Sequence, residues 1–338
     1  MREFFLSPFF QSPPVQNLCV LASLALIIFT FISTVRNERW ERAIARLRKD
    51  KTGIASAIVI VLYLLIGALD FVRISTDTTA LDWLTSGLKR EPGYSAPFAT
   101  HTLSTLHPEL LRSTHPLGTD ILGKDVLTQT LKASRTALII GGLTSLIYIP
   151  LGTLLGLAAG YFRRRTDDLI TWLYTTVYSI PEIILLVAIM MLFQKSLITM
   201  SIALGVTSWV GLCRLIRGET MRQSGRQYVA AARALGQSHW RIITRHLLPN
   251  VMHLVLINFV LGFSGIVLSE AILSYLGVGS PVGTASWGTM IDGARSELSR
   301  DPTIWWTLTA ATSALFILVL ALNLLGDALR KAFDPKRG

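Results

Sequence analysis

The sequence predicts an all-α membrane protein, a polytopic bundle of transmembrane helices. Three observations lead there. Of 338 residues, 51% are hydrophobic and only 16% charged, with a mean hydropathy of +0.50, whereas a soluble domain is about 25% charged. Seven apolar runs approach or exceed the roughly 20 residues that a helix needs to cross a bilayer: 18–35, 54–72, 136–162, 168–193, 196–216, 251–276 and 303–325. None alternates with the period of two that a membrane barrel requires, and backbone in lipid must satisfy its own hydrogen bonds. The runs therefore read as helices. A net charge of +11 would suit nucleic acid only as a patch on a soluble face. Here it lies between apolar runs, so no nucleic-acid partner is expected and membrane lipid is. Two cysteines and six histidines exclude a disulfide scaffold and a thiolate metal cluster, and no metal site is expected.

In chain order, run 18–35 reads as a retained anchor rather than a cleaved leader. Only Arg2 precedes it, no small-x-small cleavage site follows, and the next residues are strongly basic. Residues 36–53 hold seven Lys or Arg against three acids, and complete an N-terminal segment, 1–53. Run 54–72 is the first core span. Residues 73–135, with Pro92, Pro97, Pro108 and Pro116, form an irregular outer segment too short for an independent enzyme domain. The membrane core is expected over 136–326, with an inner loop at 218–250 and a basic tail at 327–338. Arg163-Arg164-Arg165, the seven arginines of 214–250 against the single acid Glu219, and the tail cations share one side with 36–53 if every run crosses. That side is read as the cytoplasm. The C-terminus is then inside and the N-terminus outside.

The inner loop is the most informative stretch. In 227–250, Ala230, Ala231, Ala232, Ala234 and Leu235 favour helix. Gly236 can take the left-handed conformation that ends one. Ser238 suits the N-cap of a second short helix, and Pro249 is expected to close it. A helix-glycine-helix fixed between two spans is a lever. Its small side chains admit a partner closely, and its arginines can meet carboxylates.

Here the sequence resembles a known family. Ala231, Ala232, Gly236, Leu248 and Pro249 match the signature Glu-Ala-Ala, three residues, Gly, nine residues, Ile-x-Leu-Pro of permeases of binding-protein-dependent ABC importers. Ala230 stands at the glutamate and His246 at the isoleucine. The lost acid would have favoured a helix N-terminus. The resemblance implies that this loop, with Tyr228, Arg233, Ala234 and Leu235, docks on an ATP-hydrolysing subunit and passes its closure to the spans. His115-Pro-Leu-Gly-Thr-Asp120-Ile-Leu-Gly-Lys-Asp125, Glu270 to Gly279, Ser286-Trp-Gly288 and Asn323 to Arg330 with Asp334-Pro335 resemble the oligopeptide/dipeptide/nickel group, second permease type. That group has six spans, so 18–35 would be an addition. The resemblance further implies a second permease, ATPase subunits and an extracytoplasmic solute-binding protein as partners, in the cell inner membrane. ATP and Mg are used by the partners and no cofactor is bound by this chain. The cargo is peptides, with nickel complexes or other small solutes open.

Several residues invite sharper readings. Gly118-Thr119-Asp120-Ile121-Leu122-Gly123-Lys124-Asp125 fits a phosphate-binding loop through its seventh position, but Asp125 replaces the Ser or Thr that holds Mg. No strand precedes it, so it reads as a structured turn leading into an amphipathic helix at the outer surface. Lys124 stands where the family has arginine. Glu182, after Pro181, lines the translocation pathway, bonds across helices to a structural partner, or lies at a membrane boundary nearer than the run suggests. Glu270, a further pathway candidate near the outer end of its helix, reads as structural or as gating at the mouth. Gly152, Gly156 and Gly160 repeat every four residues and permit close packing, here or against the partner permease. Trp83, Trp287, Trp305 and Trp306 suit the outer interface, Trp172 and Trp240 the inner one. No nucleophile–base pair or carboxylate dyad is present, so the chain is not expected to be an enzyme. The rival class, an ion-gradient-driven secondary transporter or channel, would want several intramembrane ionisable groups or an inverted repeat.

Overall fold

The computed structural model describes residues 38–75, 78–103, 108–281 and 283–333. The run 18–35 and the tail beyond 333 lie outside the described residues. The helices are α1 (Glu38–Leu47), α2 (Lys51–Phe71), α3 (Ala80–Leu84), α4 (Val126–Phe162), α5 (Arg164–Tyr178), α6 (Glu182–Leu192), α7 (Leu197–Ser224), α8 (Gln227–Ala234), α9 (His239–Ile242), α10 (Leu248–Tyr275), α11 (Trp287–Glu297) and α12 (Trp306–Phe333). A π turn, Ile243–Leu247, joins α9 to α10. Among the described residues five helices are long and apolar enough to cross a membrane: α2, α4, α7, the continuous His239–Tyr275 and α12. The pair α5 and α6 makes a sixth if counted as one broken span. No strand forms among the described residues, only isolated bridges such as Thr119 to Asp125.

The chain divides into two compact units. The first is made by the described residues of 38–138, 274–277 and 283–328. In it the Asp50 carboxylate accepts from Thr52 N and Gly53 N and so starts α2. The Tyr63 hydroxyl donates to the Ala314 carbonyl at 2.8 Å. Trp287 is buried edge-on to Tyr63 and donates Nε1–H to the Thr130 carbonyl, and Trp306 donates to the Thr119 carbonyl. These two tryptophans are core side chains, which corrects their expected place at the interface. An indole buried with its N–H bonded gains more than one left at a surface. Trp83 and Trp305 are exposed.

The second unit holds Ile139–Leu273, Val278–Pro281 and Leu329–Gly338. Its core includes Leu157, Met200, Leu204, Leu212 and Ile216. The three glycines at four-residue spacing make a groove that α7 fills. A Cβ on Gly152 would lie 2.9 Å from the Trp209 carbonyl, on Gly156 2.8 Å from that of Cys213, and on Gly160 2.7 Å from that of Arg217. The carbonyls themselves repeat every four residues, so two helices meet backbone to backbone.

Three local expectations are corrected. The helix after Asp125 is no separate surface element, because α4 runs unbroken from Val126 to Phe162. The run 168–193 is two helices bent by 81° at Ser179–Pro181. Pro181 offers no N–H and its ring crowds the carbonyl four residues back, so α5 stops and Glu182 begins α6. Pro249, by contrast, closes nothing. Leu248 N–H donates to the Ile243 carbonyl five residues back, and this π register carries the helix through the proline.

Candidate functional site: the helix-glycine-helix

Everything in this site belongs to the second unit. α8 is held by one face. Val229 and Ala232 are buried, and the Tyr228 hydroxyl donates to Gln223 Oε1 at 3.0 Å. Gln223 in turn donates Nε2–H to Glu219 Oε1, which also accepts from Arg222. The loop's single acid is thus used inside, fixing the end of α7.

The helix ends as a Schellman cap. Gly236 N–H donates to the Arg233 carbonyl and Gln237 N–H to the Ala232 carbonyl, with Gly236 at φ +72°. Nothing lies within 4 Å of a Cβ built there, so backbone conformation alone selects glycine. Ser238 Oγ then accepts from Arg241 N–H and caps α9. Tyr161, at the end of α4, joins both helices. Its hydroxyl is hydrogen-bonded to His239 Nδ1 at 2.8 Å, and the Arg233 guanidinium lies 5.0 Å over its ring.

His246, the departure from the family isoleucine, donates Nε2–H to Gln237 Oε1 at 3.0 Å and packs against the Tyr228 ring. Gln237 is the residue just past the glycine, so this bond spans the turn. Asn250 Nδ2 donates to the His246 carbonyl at 2.6 Å, in the stretch where Pro249 supplies no donor. Leu248 is half-buried and Pro249 exposed.

The outward face is small and apolar. Ala230, Ala231, Ala234 and Gly236 are exposed, beside Leu235 at 80% and Trp240 at 69% exposure. In the same stretch Arg226, Arg241 and Arg245 are exposed, with no carboxylate of the described residues within 4.0 Å. Exposed apolar residues and exposed arginines in one short stretch have the composition of an interface core and rim. Tyr161, Gln237 and Trp240 were not legible as site residues. Their partners lie up to 78 residues away in the sequence, and only the exposed tryptophan carried a local signal.

The other candidates fall elsewhere. Pro181 is the N-cap of α6 and Glu182 its first residue, exposed. Glu270 is buried and accepts from Ser280 Oγ at 3.0 Å. The outer motif lies in the first unit, where it closes on itself. Asp120 Oδ1 accepts from Leu122 N–H and Lys124 N–H, and Oδ2 from Gln129. The backbone donors that would cradle a phosphate in the mimicked loop already hold a carboxylate. Thr119 Oγ1 donates to the Gly93 carbonyl and accepts from Ser95 N–H. Gly118 and Gly123 have positive φ, and a Cβ on Gly118 would strike the Ser95 carbonyl. Asp125 Oδ1 caps α4 through Thr128 N–H, while Oδ2 meets His115 Nδ1 at 2.8 Å. The other imidazole nitrogen faces Glu91 Oε1 at 3.2 Å. Glu91 and this buried cluster were not anticipated, since 24 residues separate Glu91 from His115.

Residues 152–338, which contain the whole site, match the family described as "Binding-protein-dependent transport system inner membrane component". The chain is 29% identical over 299 residues to the oligopeptide transport system permease protein OppC of Bacillus subtilis, covering 88% of this chain and 90% of that protein. It is 37% identical over 220 residues to the di/tripeptide transport system permease protein DppC of Pseudomonas aeruginosa, covering 65% and 72%. It is 33% identical over 224 residues to the glutathione transport system permease protein GsiD of Pectobacterium atrosepticum, covering 66% and 73%.

Proposed function

We propose, because the chain belongs to the family of binding-protein-dependent transport system inner membrane components and is a multi-pass permease of the ABC importer type, that it forms half of a peptide translocation pathway driven by partner ATPases. The relatives whose names specify cargo carry oligopeptides, di- and tripeptides or glutathione, which favours peptides over nickel complexes. ATP hydrolysis belongs to separate subunits, a second permease supplies the other half, and a solute-binding protein delivers cargo outside. The C-terminus and the helix-glycine-helix then face the cytoplasm, in keeping with the arginine excess of 214–250.

One observation carries the reading. A rigid pair of short helices, capped at Gly236 and tied to α4 and α7, presents Ala231, Ala234, Leu235 and Trp240 outward. ATP-driven closure of the ATPase subunits would move that pair and tilt the spans it joins. A transition between two states needs a source that binds them differently, and the nucleotide cycle of the partners is that source. The absence of the family glutamate at Ala230 leaves docking to shape and apolar area, with the rim arginines meeting partner acids. Charging the face tests this. Ala231→Glu and Ala234→Glu are expected to lower co-purification of the ATPase subunits while leaving the chain inserted. Undiminished co-purification would contradict docking at α8.

A further inference from the structure

α1 is a basic helix in which Ala43, Ile44 and Leu47 recur at helical spacing and Arg42 and Arg46 occupy other positions. Just beyond it Arg48, Lys49 and Lys51 are exposed, with no carboxylate of the described residues within 4.0 Å. The nearby acid, Asp50, accepts from Thr52 N–H, Thr52 Oγ1 and Gly53 N–H at the start of α2. Arg48 lines a groove of about 290 Å³, together with Leu47, Ile54, Ala57, Ile58 and Val61, and Lys51 stands three residues before Ile54 on α2. Gly53 also lines it, packed so closely that a Cβ there would lie 2.9 Å from both Leu47 Cδ1 and Ala328 Cβ. Ile58 and Val61 are 63% and 52% exposed, so the groove is open along α2.

We propose that this groove binds one anionic phospholipid, with part of an acyl chain along Ile54, Ala57, Ile58 and Val61 and the phosphate at Arg48 and Lys51. The volume is at the low end of small-molecule pockets, about 300–1,000 Å³, which fits a section of one chain and not a whole lipid. The lining offers an acyl chain apolar contact and asks of it no hydrogen bond. Three cations whose neighbouring acid caps α2 favour a headgroup with net negative charge over a zwitterionic one. The site rests on the membrane orientation given above and is independent of ATPase docking and cargo.

The test uses the full transporter in phosphatidylcholine nanodiscs carrying a small fraction of phosphatidylglycerol with a photoactivatable acyl chain, and adducts are mapped by mass spectrometry. Labelling is expected to concentrate in residues 54–61, and to fall by at least about fivefold in the double variant Arg48→Gln, Lys51→Gln. Ala57→Trp, which fills the groove with the charges intact, is expected to lower it similarly. A phosphatidylcholine probe is expected to label the same residues weakly. Labelling spread along all of α2, equal labelling by both probes, or indifference to the charge variant would overturn the proposal. So would p-benzoylphenylalanine at Ile58 cross-linking to residues 18–35 or to the second permease instead of lipid. Peptide uptake and ATPase co-purification, measured on the same samples, are expected to persist in the charge variant, which separates failure of this site from failure of the coupling reading.

Discussion

His246 Nε2 donates to Gln237 Oε1 across 3.0 Å, so the helix returning to the membrane is bonded to the residue that follows the Gly236 turn. The bond ties the π turn Ile243–Leu247 to the connection between the two short helices.

Removing the bond should loosen the lever without detaching it. His246→Ala is expected to cost about 1 kcal/mol of stability and to lower uptake per ATP hydrolysed, with ATPase subunits still bound. His246→Ile, the family residue, is expected to recover coupling. A coupling ratio unchanged in the alanine variant would show that the bond is incidental.

The glycine at the turn is selected by conformation. A residue with a Cβ at φ +72° costs about 1–2 kcal/mol, and a β-branched one is least tolerated. Gly236→Val is expected to abolish uptake in an inserted protein. Gly236→Asn is expected to retain most of it, because asparagine accepts this region and no atom lies within 4 Å to obstruct it. Equal loss in both would point to crowding by a partner instead of backbone strain.

The glycines of α4 are selected by space. Gly156→Val is expected to cost about 1–3 kcal/mol and to lower the thermal midpoint of the purified protein, since even its Cβ would press on Cys213 and Ile216. Gly142→Ala is expected to be neutral or stabilising by up to about 1 kcal/mol, since its Cβ meets nothing within 4 Å. Comparable losses in the two variants would contradict the groove.

Burial raises the Glu297 carboxyl above its ordinary range, in a side chain whose Oε1 accepts from the Tyr94 hydroxyl. A carboxyl raised in the folded state favours folding below its unfolded value, near pH 4.3, and that contribution is lost as pH rises through the folded value. Glu297→Gln removes the penalty. The variant is expected to melt higher than wild type at pH 7.5, with the difference narrowing toward pH 5. A lower midpoint at pH 7.5 would show that the charge itself is needed.

Much of this was legible because it is local. Apolar runs of bilayer length and the four-residue repeat of glycines state their structure in adjacent residues. So do the Ser238 and Gly236 caps. The two prolines mark where locality fails. Pro181 breaks its run and Pro249 does not, although both lack the same N–H. The difference is a register shift over Ile243–Leu247, held by packing of Ile243 and Leu247 in the core. The 81° bend, the docking of Gly152–Gly160 on α7, and the burial of His115 between Glu91 and Asp125 likewise depend on residues distant in sequence. Trp287 and Trp306 show the same limit. A tryptophan suits an interface or a core equally well until its N–H partner is known.

The central claim is that the exposed alanine face of α8 meets the ATPase subunit and moves with its cycle. Cysteine placed at Ala231, in the otherwise intact transporter, should cross-link to an ATPase subunit with a short bifunctional reagent. The yield is expected to change by several-fold between nucleotide-free and ATP-bound states. No cross-link to an ATPase subunit in either state, or the same residue labelled only from outside the membrane, would contradict it.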